Sequence, residues 1–224
     1  MRYGERQVAP LAVLWHRTVG AEPEHTRILP DGCLDLIWTG RQLTVAGPDA
    51  EARWHDSAPG SSYVGLRLFG GLGAAAVGVP AVELLGRSVP VADVLPARDA
   101  RELTERLHTE PGEALSDWAG RQRHRLDRTG PRVLAMARGG LSVAEMADEL
   151  GCSPRQLHRR CLPLFGYGPR RLGRIVRLQA ALERIGAGIP LADTAVASGY
   201  ADQPHLTREV RALTGTTPAD FAPA

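Results

Sequence analysis

The densest run of chemistry-bearing residues lies between Ser153 and Arg177, with seven arginines (Arg155, Arg159, Arg160, Arg170, Arg171, Arg174, Arg177) and no acidic residue. The chain holds no lysine at all. A surface of planar guanidinium forks suits phosphate oxygens and the O6/N7 edge of guanine better than flexible ammonium groups would. Arg155, His158 and Arg159 recur at helical spacing; Gln203, Thr207 and Arg208 do the same further along, with His205 beside them. Such side chains can read base edges or grip a phosphate. A like-charge run alone is more often a solvated face, so its structural context has to decide.

Other candidates lie in the first half. Trp15-His16, Trp38 and Trp54-His55 pair aromatic surface with polar tips, as small-molecule sites do; Trp15, His16, Trp38 and Trp54 are the candidate effector-binding residues. Cys33 sits in a Pro-Asp-Gly-Cys turn and is a candidate reactive thiol, against the plainer alternative of a buried, inert one. His16, His25 and His55 show no HxH or HxxxH spacing, so no metal site and no cofactor are expected. No Ser-His-Asp, paired-carboxylate or P-loop pattern suggests an enzyme.

The three cysteines cannot all pair and show no CxxC spacing, which fits a reducing cytoplasm. No apolar run approaches the ~18–20 residues of a membrane span, and no signal-like apolar stretch follows the first residues. A cytoplasmic protein without membrane partners is expected. At 224 residues the chain suits two domains. Its charge is divided: residues 1–127 carry 14 arginines against 17 acidic residues, and residues 128–224 carry 13 against 8.

The elements that must position these residues differ between the halves. Leu11–Trp15, Cys33–Thr39, Leu43–Ala46 and Tyr63–Phe69 read as strands between turn signals such as Pro30-Asp31-Gly32 and Gly47-Pro48. Leu72–Val79 reads as a short helix and Leu84–Leu95 as extended. The sum is a β-rich domain over 1–97, an incomplete barrel. Residues 98–128 read as a helical connector, with helices over Arg98–His108 and Gly112–Leu126. From 129 to 224 the pattern is helical throughout.

That last part repeats itself. Leu141–Gly151 resembles Ile189–Gly199, each a short helix with small residues closing on a glycine suited to a left-handed turn. A capped helix follows each turn: Ser153 with Pro154, and Asp202 with Pro204. Helix, glycine turn, capped helix is a helix-turn-helix, although a plain helical bundle also uses alanine-rich helices and glycine turns. Leu157 and Leu206 should anchor the second helices, and Pro169–Ile185 should form one long helix joining the two units.

The stretch Ser198–Glu209, followed by Leu213–Phe221, resembles the signature of the AraC/XylS family of transcription regulators. The resemblance covers about residues 129–222. It implies that the exposed face of each second helix contacts bases, by position Arg155, His158 and Arg159, then Gln203, His205 and Arg208. Ser153, Arg160, Arg170, Arg171 and Thr207 are expected to hold phosphates. Cys161 and Val210 stand where the family commonly has phenylalanine, and Pro163 threatens to shorten the first recognition helix. Pro30–Trp38, Val45–Pro48, Gly65–Leu68 and Gly78–Ala81 are similar to a domain often found ahead of such DNA-binding parts, where it senses or oligomerises.

The combined expectation is an α+β chain: a β-rich sensor-like domain and an all-α domain with two helix-turn-helix units joined by a long linker helix. Its expected partners are double-stranded promoter DNA, RNA polymerase, a small-molecule effector and a second copy as homodimer. The alternatives are an alkylation-responsive regulator with Cys33 as methyl acceptor, and a purely architectural DNA binder.

Overall fold

Apolar alternation in Leu34–Trp38, Leu43–Ala46 and Ser62–Leu68 puts Leu36, Val45 and Leu66 on one face, and all three are fully buried. In the computed structural model, which describes residues 2–122 and 127–223, these are β4, β5 and β7. With β1 (Arg2–Ala9), β2 (Ala12–Thr18) and β8 (Ser88–Pro90) they form a six-stranded antiparallel sheet ordered β1-β2-β7-β4-β5-β8. The end strands β1 and β8 do not pair, so the sheet stays unclosed. β3 (Glu24–Ile28) and β6 (Arg53–Ser57) pair separately.

β1, β3 and β6 were not legible as strands. Their sequences RYGERQVA, EHTRI and RWHDS are polar and mostly exposed or half-buried, so they lack the apolar alternation that marks a half-buried strand. The stretch Leu84–Leu95 is extended only at β8, with 3-10 turns at Ala81–Glu83 and Val91–Asp93 on either side.

Residues 98–121 do more than connect. α2 (Ala97–Leu107) and α3 (Pro111–Arg121) bury Leu103, Leu107, Leu115 and Trp118 in the same core as Leu36, Val45 and Leu66 of the sheet. A sheet with one apolar face must bury it against another layer, and these two helices supply much of that cover. α1 (Leu72–Val77) closes the same core. Arg123–Leu126, the end of the helix expected over Gly112–Leu126, lie outside the described residues.

The opposite face of the sheet is polar. Trp15 lies across Gly65, where a Cβ would come within 2.1 Å of its ring, and its indole N–H donates to Asp35 at 2.8 Å. Arg67 Nε stands 3.4 Å from carboxylate oxygens of both Asp31 and Asp35. Burial pushes the Asp35 carboxyl up to about 6, against the opposing pull of Arg67. A carboxyl with a raised folded value favours the folded state while protonated, and that contribution fades as pH rises from about 4 through 6. Asp35→Asn removes the titration, so the variant should gain on the natural protein as pH rises across that window. Denaturant unfolding at pH 4, 5, 6 and 7 checks this; a difference constant with pH would contradict it.

The helical half comprises α4 (Thr129–Arg138), α5 (Val143–Glu149), α6 (Pro154–Phe165), α7 (Pro169–Gly186), α8 (Leu191–Ala197) and α9 (Gln203–Thr214), closed by a 3-10 turn at Pro218–Phe221. α7 bridges two small cores, one with Leu157, Cys161, Leu172 and Ile175, the other with Leu178, Leu206, Val210 and Leu213. α6 runs past Pro163 to Phe165, because Phe165 is anchored in the first core and Leu164 packs beside it. The halves meet along a seam. Gln179 Nε2 donates to the Pro30 carbonyl at 2.6 Å, Arg171 Nη1 to the Ala50 carbonyl at 3.0 Å, and the Ala52 N–H to the Leu213 carbonyl at 2.8 Å. At Gly130 a Cβ would stand 2.1 Å from the Gly70 carbonyl oxygen, so backbone meets backbone there.

Candidate nucleic-acid interface

Each second helix starts where its cap dictates. Ser153 accepts from the Gln156 N–H and receives the Gln156 side chain on its own N–H, and Pro154 occupies the first helical turn. Asp202 Oδ1 accepts from the His205 N–H at 2.6 Å. The preceding turns need Gly151 (φ 59) and Gly199 (φ 73) in the left-handed region. Ser142 caps α5 in a reciprocal box with Glu145, whose carboxyl is held below its usual value by those hydrogen bonds. Each such cap is worth about 0.5–2 kcal/mol.

With the inward faces buried through Leu157, Cys161 and Phe165 on α6 and Leu206, Val210 and Leu213 on α9, the outward faces are fixed. Arg155, Arg159 and Arg160 are exposed on α6; Gln203 and Arg208 are exposed on α9, with Thr207 half-buried. Cys161 and Val210, both fully buried, fill the places under α6 and α9 without an aromatic ring.

His158 and His205 sit differently. They flank a groove of about 920 Å³ between α6 and α9, whose other lining residues include Arg170, Arg171, Arg174, Arg177 and Glu209. The His158 ring packs on Gly168, where a Cβ would stand 2.3 Å from Nδ1. The His205 Nδ1 accepts the Ala201 N–H at 3.3 Å, and the ring meets Tyr200 edge-on. Arg174 makes a two-pronged ion pair with Glu209 at 2.8 and 3.1 Å, tying the linker helix to α9; although burial works the other way, Arg174 holds the Glu209 carboxyl below its usual value. Arg177 lies over the Tyr200 ring at 5.6 Å.

Two expected phosphate ligands already have work. Ser153 is engaged in its cap, and Arg171 reaches across the seam to the Ala50 carbonyl and to Glu51 at 3.5 Å. Arg170, at the start of α7, is exposed. Sequence reasoning passed over Arg174, Arg177 and Glu209 as individual residues. The spacing of Arg170, Arg174 and Arg177 (i, i+4, i+7) was a readable sign of one helix face; the Glu209 partner was not readable, since it arrives from another helix.

The four candidate effector residues are not brought together. Trp15 and Trp38 lie on opposite faces of the sheet, because their cross-strand partners Gly65 and Val64 are adjacent residues. Trp38 is buried beside His108. Trp54, 52% exposed, is on the separate two-stranded sheet, stacked on His25 with Arg27 near its ring. His16 is exposed and covers Gly4 of the edge strand. Cys33 is 4% exposed and burial pushes its thiol well above the usual value, which works against a reactive thiolate. Among the described residues no cluster of three or more histidine, cysteine or acidic side chains could hold a metal ion, and no helix is long and apolar enough to cross a membrane.

A helix-turn-helix domain family (HTH_18) matches residues 146–223, and a domain of unknown function (DUF6597) matches residues 9–90. No curated protein matches the chain by sequence. Among solved structures, apo ToxT from Vibrio cholerae strain SCE256, a single-residue variant, aligns with 11% identity and a TM-score of 0.50, over 96% of this chain and 98% of that one. ToxT from Vibrio cholerae O395 bound to (E)-4-(8-methylnaphthalen-1-yl)but-3-enoic acid also aligns with 11% identity and a TM-score of 0.50, over 98% of this chain and 97% of that one. The C-terminal domain of AraT, a response regulator from Geobacillus stearothermophilus, aligns with 22% identity and a TM-score of 0.37, over 42% of this chain and 86% of that one. The ToxT likeness extends to both halves of the fold. By these matches the chain carries a DUF6597 domain followed by an AraC-type helix-turn-helix domain.

Proposed function

We propose that the chain recognises a promoter sequence by inserting α6 and α9 into successive major-groove segments of one duplex. The observation that carries this reading is the pair of capped helices, each with an exposed polar face and a buried leucine anchor, mounted on one rigid α7. Eighteen residues give α7 a length of about 27 Å, a suitable spacer for two helices that must enter the groove about 34 Å apart. Arg155, Arg159, Gln203 and Arg208 are the base readers in this scheme. Arg160 and Thr207 hold flanking phosphates, and the Ser153 hydroxyl proton stays available for another.

In the same reading residues 129–224 are the DNA-binding unit, and residues 1–97, with α2 and α3 packed into their core, receive a small-molecule effector or pair with a second copy. RNA polymerase is the partner downstream. The bound acid in one ToxT structure supports asking the effector question of this chain, in its cytoplasmic setting.

Selecting genomic fragments on the full chain tests the proposal. Two half-sites one helical turn apart should be enriched, and a fragment of residues 125–224 should protect the same sites. Enrichment without sequence preference would favour an architectural binder. Absence of binding would overturn the reading.

A further inference from the structure

The groove between the two recognition helices carries more positive charge than its neighbours neutralise. Its lining has four arginines and two histidines against one acid, Glu209. Arg174 is matched by Glu209, and Arg171 is turned toward Ala50 and Glu51. Arg170 and Arg177 have no salt bridge among the described residues, and the Arg177 Nε is buried without a hydrogen-bond acceptor.

The surrounding geometry has the same sign. Gly168, the residue that caps the start of α7, and Arg170 in its first turn line the groove, which brings the positive end of an 18-residue helix to it. The His205 Nδ1 accepts a backbone N–H, which leaves Nε2 as the donor end of the ring. We propose that this groove seats phosphates of the DNA backbone running between the two major-groove entries. Arg170 and Arg177 are its cations, and His158 and His205 are walls that donate to phosphate oxygens rather than to bases. Seven residues separate the two arginines, about 10.5 Å along the helix, close to the rise of three base pairs at 3.4 Å each.

This assignment rests on the proposed DNA binding and refines it, by moving both histidines from the sequence-reading set to the positioning set. Backbone contacts hold register and orientation while carrying no sequence information.

The test uses the full chain and two labelled duplexes, one of random sequence and one selected from genomic DNA, with affinity measured from 50 to 200 mM salt. Arg170→Gln, Arg177→Gln and His158→Gln are compared with Arg211→Gln, on the exposed side of the last turn of α9 and outside the groove. Each arginine variant of the groove should lower the salt slope by about 1 and weaken binding roughly five- to tenfold at 0.1 M salt. Both duplexes should be affected alike, and Arg211→Gln should leave slope and affinity in place. His158→Gln should weaken both duplexes by one common factor. If Arg177→Gln does not fold, Arg170→Gln and His158→Gln decide the matter. Folded variants with an unchanged slope, or a loss confined to the selected duplex, would overturn the groove assignment. Failure of the natural protein to bind either duplex would instead overturn the proposed function.

Discussion

Leu206→Ala is expected to cost about 2–5 kcal/mol and to melt the second helix-turn-helix while the first stays folded. Leu206 is fully buried in a core of seven residues, among them Leu178, Ala195, Tyr200, Val210 and Leu213, and this core is distinct from the one beneath α6. With Val210 and Leu213, Leu206 supplies the anchors of α9 in that core, which is small, so the cavity removes a large share of what holds the helix down. Polar ties beyond this core include the Arg174–Glu209 ion pair and the Ala52–Leu213 hydrogen bond. Ion pairs of partly exposed groups contribute about 0–1 kcal/mol, too little to compensate. Amide hydrogen exchange should show α8 and α9 unprotected with α4 to α6 still protected. Loss of protection in both units together would mean that the two cores fold as one.

The second large effect concerns recognition itself. Arg159→Ala and Arg208→Ala should each cost about 1–3 kcal/mol of binding to the selected sequence and relax the preference at one or two base pairs. Both arginines are exposed on the outward faces of α6 and α9 and have no salt bridge among the described residues, so their forks are free to reach guanine. Neither lines the groove, and this separates them from Arg170 and Arg177, whose loss should affect all sequences alike. Competition binding against single-base variants of the selected site reads the difference. Operator preference left intact in Arg208→Ala would mean that α9 does not read bases through that residue.

The helical half was largely legible because its signals are local. Ser153-Pro154 and Asp202 announce the helix starts, Gly151 and Gly199 announce the turns, and these residues act through their own backbone neighbourhood. Pro169–Ile185 was likewise readable as one helix from its apolar period, and it extends over Pro169–Gly186. The strands with an apolar face, β2, β4, β5 and β7, were legible for the same reason. β1, β3 and β6 were not, since exposed strands are specified by their partners and carry no pattern of their own.

Residue types and spacing by themselves determined the order of elements in the helical half, its caps, and which faces of α6 and α9 turn outward. Only tertiary structure decided what those faces meet. It placed α2 and α3 over the sheet, kept Trp15 apart from Trp38 by the alternation of cross-strand partners, drew Arg171 to Ala50 and Arg174 to Glu209, and turned His158 and His205 into one groove. The physical reason is range. A cap or a turn is satisfied within a few residues, whereas the partner of a guanidinium or an aromatic face is whichever group the packing of distant segments brings within about 4 Å.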